Sequence, residues 1–170
     1  MLIRKIILVS FLLLLPASPV LALKANDLAP SFSLRDSNGG NFFFSDYIGP
    51  KKKHQVKGII LCFFASYCEP CKHELPILNS LVDEFEKMEV KIVIVGSNED
   101  FDKIGAMLDD IKVDKPIILS DTYGKMGQKY GVTSLPITFF IGEDGRVKDV
   151  FRNGPNIEKT LREKVGKLLK

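Results

Sequence analysis

Cysteine is scarce in this 170-residue chain, with three in all: Cys62, Cys68 and Cys71. Three cysteines allow at most one intramolecular pair, which excludes a disulfide-stapled scaffold and leaves stability to an apolar core. Histidine is scarcer, with His54 and His73 alone, and there is no second Cys-x-x-Cys. Structural zinc needs four ligands, and a copper site needs a histidine or methionine close by, so metal binding at Cys68 and Cys71 is the weaker alternative and no metal or cofactor is expected. Charge of one sign is also lacking: 24 basic residues stand against 21 acidic ones, a net charge of +3. That balance gives no footprint for nucleic acid. One local basic cluster, Lys51-Lys52-Lys53-His54, follows Gly49-Pro50 and reads as a solvated loop. There is no nucleotide-binding motif, no low-complexity tract and no internal repeat.

What is present divides the chain in two. Residues 1–22 open with the basic MLIRK, continue with the uncharged IILVSFLLLLPASPVLA, and close on the small-residue pattern Val20-Leu21-Ala22. This reads as a secretory signal peptide, with an uncleaved anchor as the alternative. The apolar run of about 17 residues is at the lower limit for a membrane span, and Pro16 and Pro19 interrupt it. No cysteine follows it, which argues against a lipoprotein anchor. Residues 23–170 are then one domain with one core, expected outside the cytoplasm, in a bacterial periplasm. Cleavage would remove two basic residues, Arg4 and Lys5, and no acidic one, bringing the net charge from +3 to about +1.

Along that domain, periodicity sets the elements. Two short extended pieces flank Asp36-Ser37-Asn38-Gly39-Gly40 and predict an N-terminal hairpin. Lys57 to Ala65 is apolar on both faces, as in a strand at the centre of a doubly covered sheet. Leu75, Leu78, Leu81, Val82, Phe85 and Met88 carry helical spacing, with Asp83, Glu84, Glu86 and Lys87 opposite. Pro76 should kink this helix. A strand over Val90 to Gly96, a helix over Asp100 to Ile111, a short strand over Pro116 to Ser120 and a short helix over Tyr123 to Tyr130 follow. Ile137 to Ile141 and Arg146 to Phe151 form a hairpin around Glu143-Asp144-Gly145, and Ile157, Leu161, Val165 and Leu168 mark a closing helix. The order predicts an α/β sandwich with a central mixed sheet.

Chemistry concentrates in Cys68-Glu69-Pro70-Cys71, where a strand runs into a helix. Cys68 falls at the helix N-terminus, where free N–H groups and the macrodipole favour a thiolate. Pro70 suits the first turn, where a missing N–H is harmless. Cys71 lies inside the helix, close enough to form a small ring. Cys68 then reads as the nucleophile that attacks a partner's disulfide, and Cys71 as the thiol that resolves the mixed disulfide. Glu69, a carboxylate beside Cys68, disfavours the thiolate and so favours a reductant over an oxidant.

With these residues in view the chain resembles the thioredoxin superfamily, and within it the TlpA/ResA-like branch, over roughly residues 27–169. APSFSLRDSNG at 29–39 looks like that branch's N-terminal hairpin. Cys68-Glu69-Pro70-Cys71 looks like its active site, Gly131 to Pro136 like the segment ending in its cis-proline, and GEDGRV at 142–147 like its hairpin. The resemblance implies a thioredoxin-like sandwich with an N-terminal β-hairpin and a helix–strand unit inserted within residues 98–122. It implies that Tyr67, Glu69, Pro70, Leu135 and Pro136 meet the substrate. It also implies a glutamate near the cysteines, for which Glu99 is the candidate, to tune Cys71 or take its proton. The chain departs from the pattern at Tyr67, where the family usually carries tryptophan. It departs again at Cys62, where thioredoxins hold a buried aspartate; Cys62 reads as a buried structural thiol.

The resemblance implies an extracytoplasmic thiol–disulfide oxidoreductase, acting as a protein disulfide reductase through Cys68 and Cys71. Its partners would be disulfide-bearing exported proteins, apocytochrome c among them, and a membrane thiol–disulfide electron donor, with the chain a monomer. Two rivals have different chemistry. A peroxiredoxin would want proline and Thr or Ser where this chain has Leu61 and Ala65. A copper-binding metallochaperone would hold metal between Cys68 and Cys71 without turning over disulfides.

Overall fold

A computed structural model describes residues 22–170. The signal-peptide reading of residues 1–22 lies, apart from Ala22, outside the described residues. Among those described, no helix is long and apolar enough to cross a membrane.

The strands are β1 (Ser33–Asp36), β2 (Asn41–Phe43), β3 (Gly58–Phe64), β4 (Val90–Ser97), β5 (Ile117–Asp121), β6 (Ile137–Gly142) and β7 (Val147–Phe151). The helices are α1 (Glu69–Lys87), α2 (Phe101–Asp110), α3 (Lys125–Tyr130) and α4 (Ile157–Leu168). All seven strands form one sheet in the order β2-β1-β5-β4-β3-β6-β7. β3, β4 and β5 run parallel, while the hairpin β1–β2 and the hairpin β6–β7 join antiparallel at its two sides. This is the expected mixed-sheet α/β sandwich.

The unbroken apolar run of β3 has a direct cause: every one of its residues is buried, and successive side chains serve opposite cores. Ile60, Cys62 and Phe64 join Leu75, Leu78 and Phe85 of α1, Ile104 of α2 and Leu161 and Val165 of α4 on one face. Ile59, Leu61 and Phe63 join Phe42, Phe44, Met126 and Tyr130 on the other. Each such large side chain contributes roughly 1.5–3 kcal/mol on full burial. Tyr130 ties the second core to the N-terminal segment: its ring packs against Phe63 and Phe139, and its hydroxyl donates to the Pro30 carbonyl at 2.9 Å.

The unit between β4 and α3 is a helix and a strand, α2 and β5, as the resemblance implied. Asp100 caps α2 by accepting from the Lys103 amide at 3.3 Å. Gly96 lets α2 lie close on β4, since a Cβ there would sit 2.6 Å from Ile104 Cγ2. Gly96→Val should therefore destabilise the fold by about 1–3 kcal/mol, read as a lower urea midpoint at unchanged slope.

Candidate active site

The sheet delivers the CxxC pair. β3 ends at Phe64, the chain turns through Ala65, Ser66 and Tyr67, and α1 starts at Glu69 with Cys68 as its N-cap. The turn is fixed from both sides. The Cys68 amide donates to the Ala65 carbonyl at 3.0 Å. The Glu99 carboxylate, just past the end of β4, accepts from the Ser66 amide at 2.6 Å and from the Ser66 hydroxyl at 2.5 Å. Glu99 is itself held, its carbonyl accepting from Ser120 Oγ at 2.7 Å at the end of β5. The structure thus buries Glu99 and engages both of its carboxylate oxygens on Ser66. Both contacts fall on the turn that carries Cys68, and neither is to Cys71.

Cys68 and Cys71 are joined by a disulfide, with Cα atoms 5.3 Å apart. Their surroundings differ. Cys68 keeps 6% of its surface exposed and borders a groove, whereas Cys71 is fully buried. The α1 N-terminus offers no side-chain cap; Pro70 at the second position has no N–H and the Cys71 amide donates to the Cys68 carbonyl at 3.1 Å, so what favours a Cys68 thiolate there is the helix macrodipole. Glu69 is paired with Lys72 at 2.9 Å; the hydrogen bond from Lys72 holds the Glu69 carboxyl below its usual range and keeps it charged. The positive partner weakens the repulsion Glu69 exerts on a Cys68 thiolate, without altering its sign.

Behind Cys71 lies a residue the sequence reading passed over. Glu74 is fully buried, one helical turn after Cys71. Its Oε1 accepts from Thr138 Oγ1 at 2.7 Å and lies 3.9 Å from Cys62 Sγ, while Oε2 has no partner among the described residues. Burial raises the Glu74 carboxyl above its ordinary range, opposed by the bonds from Thr138 and Cys62. The signal was in the spacing, since Cys71, Glu74, Leu78 and Val82 fall on one stripe of α1, a place where an acid needs explaining. A raised folded pKa means that the native state holds its proton more tightly than the unfolded chain. The resulting stability is fully present below the unfolded value, near 4.5, and is lost as pH rises through the folded value. Unfolding free energies from urea titrations across that window should fall with pH by up to about 1.4 kcal/mol per unit, and Glu74→Gln should remove the slope.

The groove beside Cys68 has a volume of about 420 Å³ and is lined by Tyr67, Cys68, Glu69, Pro70, Leu135 and neighbours from the ends of β4 and β6. Tyr67 stands 74% exposed at its rim. Five of the predicted residues are thus brought together. Cys71, Glu99 and Pro136 are buried outside the lining, and the Leu135–Pro136 peptide is cis. Asn98 completes the wall against Gly124, where a Cβ would lie 1.9 Å from Asn98 Oδ1. A larger groove of about 590 Å³ runs between Ile77 and the start of α4 and contains no thiol, so size does not mark the site.

Comparison with known proteins agrees with this geometry. The AhpC/TSA family matches residues 25–150. The thiol-disulfide oxidoreductase ResA of Geobacillus thermodenitrificans (strain NG80-2) is 31% identical over 129 residues, 76% of this chain and 70% of that protein. Among solved structures, a Chlorobium tepidum protein assigned as thiol:disulfide interchange protein DsbE superposes with a TM-score of 0.73 at 24% identity, over 88% of this chain and 100% of that one. Peroxidoxin BcpB from Mycobacterium tuberculosis superposes with a TM-score of 0.69 at 22% identity, over 86% and 96%. The two structures establish the thioredoxin-like fold and, bearing different names on one fold, cannot choose a chemistry. The sequence relatives do choose: the chain belongs to the AhpC/TSA family, on its ResA-like branch of thiol–disulfide oxidoreductases.

Proposed function

We propose that the protein is an extracytoplasmic protein-disulfide reductase, with Cys68 as nucleophile and Cys71 as resolving thiol. One observation carries the assignment of roles: Cys68 borders the groove at the α1 N-terminus while Cys71 is sealed beneath it. In the reduced protein, the Cys68 thiolate attacks one sulfur of a substrate disulfide and expels the other as a thiolate. Cys71 then gives its proton to Glu74 and attacks Cys68 Sγ. The mixed disulfide breaks, the second substrate thiolate leaves, and the Cys68–Cys71 disulfide forms. Two electrons pass from the protein to the substrate, and a second exchange with a membrane thiol donor restores them.

The substrates on this reading are exported proteins that carry disulfides, with apocytochrome c a specific candidate. The apolar leader in residues 1–22 supports an extracytoplasmic site. Tyr67, Glu69, Pro70 and Leu135 form the contact zone around the substrate cysteine, with Pro136 buried behind it. The test is catalysis of insulin disulfide reduction by dithiothreitol, with hydrogen peroxide consumption in parallel. Accelerated insulin reduction without peroxide turnover is expected. Peroxide turnover without insulin reduction would assign the peroxiredoxin chemistry, and tight stoichiometric copper binding without exchange would assign the metallochaperone.

A further inference from the structure

Cys62 is the one cysteine the exchange reaction does not use. It lies on β3, fully buried, directly across the ladder from Thr138 of β6. Both residues face Glu74. The Thr138 hydroxyl donates to Oε1 at 2.7 Å, and the Cys62 thiol reaches the same oxygen at 3.9 Å. The thiol has a second acceptor, the Phe63 carbonyl at 3.8 Å. One hydrogen cannot serve both. A charged carboxylate is the stronger acceptor, so the S–H turns to Glu74 when it is ionised and is free to turn to Phe63 when Glu74 is neutral.

We infer that Cys62 is a positioning residue for Glu74: with Thr138 it converges on Oε1, which leaves Oε2 as the oxygen that exchanges a proton with Cys71. Oε2 is buried without a partner among the described residues. Such an atom is costly to leave unsatisfied unless its partner comes and goes during the reaction. A Cys71 thiol, released from the disulfide on reduction one turn away on the same helix, is such a partner. Burial and the nearby Glu74 charge push the Cys62 thiol well above its ordinary range, so Cys62 stays a neutral donor and not a third redox thiol.

Among the described residues, the elements packed here bring no other buried charge to this spot. β3 presents Cys62, β4 presents Ile92 and Ile94, and α2 presents Ile104. β6 presents Thr138. α4 and β7 contribute Lys164 and Asp149, which close on each other at 2.7 Å, with the lysine 5.9 Å above the Phe140 ring. On α1 itself, Cys68 and Cys71 titrate once reduced, and Glu69, Lys72 and His73 lie on its outer side.

The inference rests on Glu74 as proton acceptor, and one experiment separates the two. The reduced full chain is mixed with 5,5′-dithiobis(2-nitrobenzoate) in stopped flow. A first release of thionitrobenzoate reports attack by Cys68, and a second reports resolution by Cys71. Losing a donor to the carboxylate raises its proton affinity. Cys62→Ala and Thr138→Val should therefore each move the pH midpoint of the second phase upward by about 0.3–1 unit, a two- to tenfold change in proton affinity, and leave the first phase in place. Cys62→Ser, which restores a donor, should bring the midpoint back. A purely structural Cys62 would alter melting but not that midpoint. If both donor variants keep the wild-type midpoint while Glu74→Gln abolishes the pH dependence, the positioning role falls and the acceptor role stands. If Glu74→Gln also leaves the profile unchanged, both fall. A Cys62–Cys71 disulfide in the oxidised chain, found by peptide mass mapping, would overturn the inference as well.

Discussion

Cys71→Ser should stop turnover and leave the protein covalently attached to its substrate. The variant keeps Cys68 at the α1 N-terminus and at the edge of the groove, so the first attack proceeds. The hydroxyl that replaces the buried thiol cannot resolve the mixed disulfide. Insulin reduction should drop to the uncatalysed rate. A band of the summed mass should appear on a non-reducing gel and vanish with dithiothreitol. Cys68→Ser should abolish turnover as completely without the covalent band, because Cys71 is sealed from the groove. Equal trapping by the two variants would contradict the division of roles.

Glu99→Ala should have the next largest effect. It deletes two short bonds that a buried carboxylate accepts from Ser66 and leaves the Ser66 amide without its acceptor. Charge-assisted bonds of this kind contribute about 1.5–3 kcal/mol each, so a loss of roughly 2–4 kcal/mol in unfolding free energy is expected once relaxation is allowed for. The turn from Ala65 to Tyr67 sets where Cys68 lies, and a displacement of about 1 Å at a reacting centre can lower the rate on the order of a hundredfold. Glu99→Gln keeps a carbonyl for the Ser66 amide, and the Ser66 hydroxyl can reverse to accept from the new amide group. It should recover most of both quantities. A Gln variant as inactive as the Ala variant would instead assign Glu99 a role as proton acceptor.

The difference between those two roles shows how far the sequence could be read. β3 was legible because seven apolar residues without alternation have few other uses. The CxxC pair was legible because strand, cysteine and helix start coincide. The family resemblance and its place after a strand brought Glu99 to notice, and its contacts could not follow from either: Ser66 is 33 residues away in the chain, and only the parallel pairing of β3 with β4 brings the two together. Glu74 was missed for the opposite reason. Its helical spacing placed it on the apolar stripe, but a glutamate is ordinarily assigned to the solvated face. What allows it to be buried is Thr138, from a strand 64 residues further on. The third thiol was read as a structural core cysteine. The structure buries it as expected and adds what no linear pattern could show, a carboxylate within reach of its sulfur.

The most direct measurement is the two-electron reduction potential of the protein, equilibrated against a defined thiol buffer with the Cys68–Cys71 disulfide followed by mass. A reductase predicts a value near or below about −250 mV, close to that of thioredoxin. A value near about −120 mV, as in a strong periplasmic oxidant, would contradict the direction of electron flow, and failure of the two cysteines to form a disulfide at any buffer ratio would contradict the exchange chemistry itself.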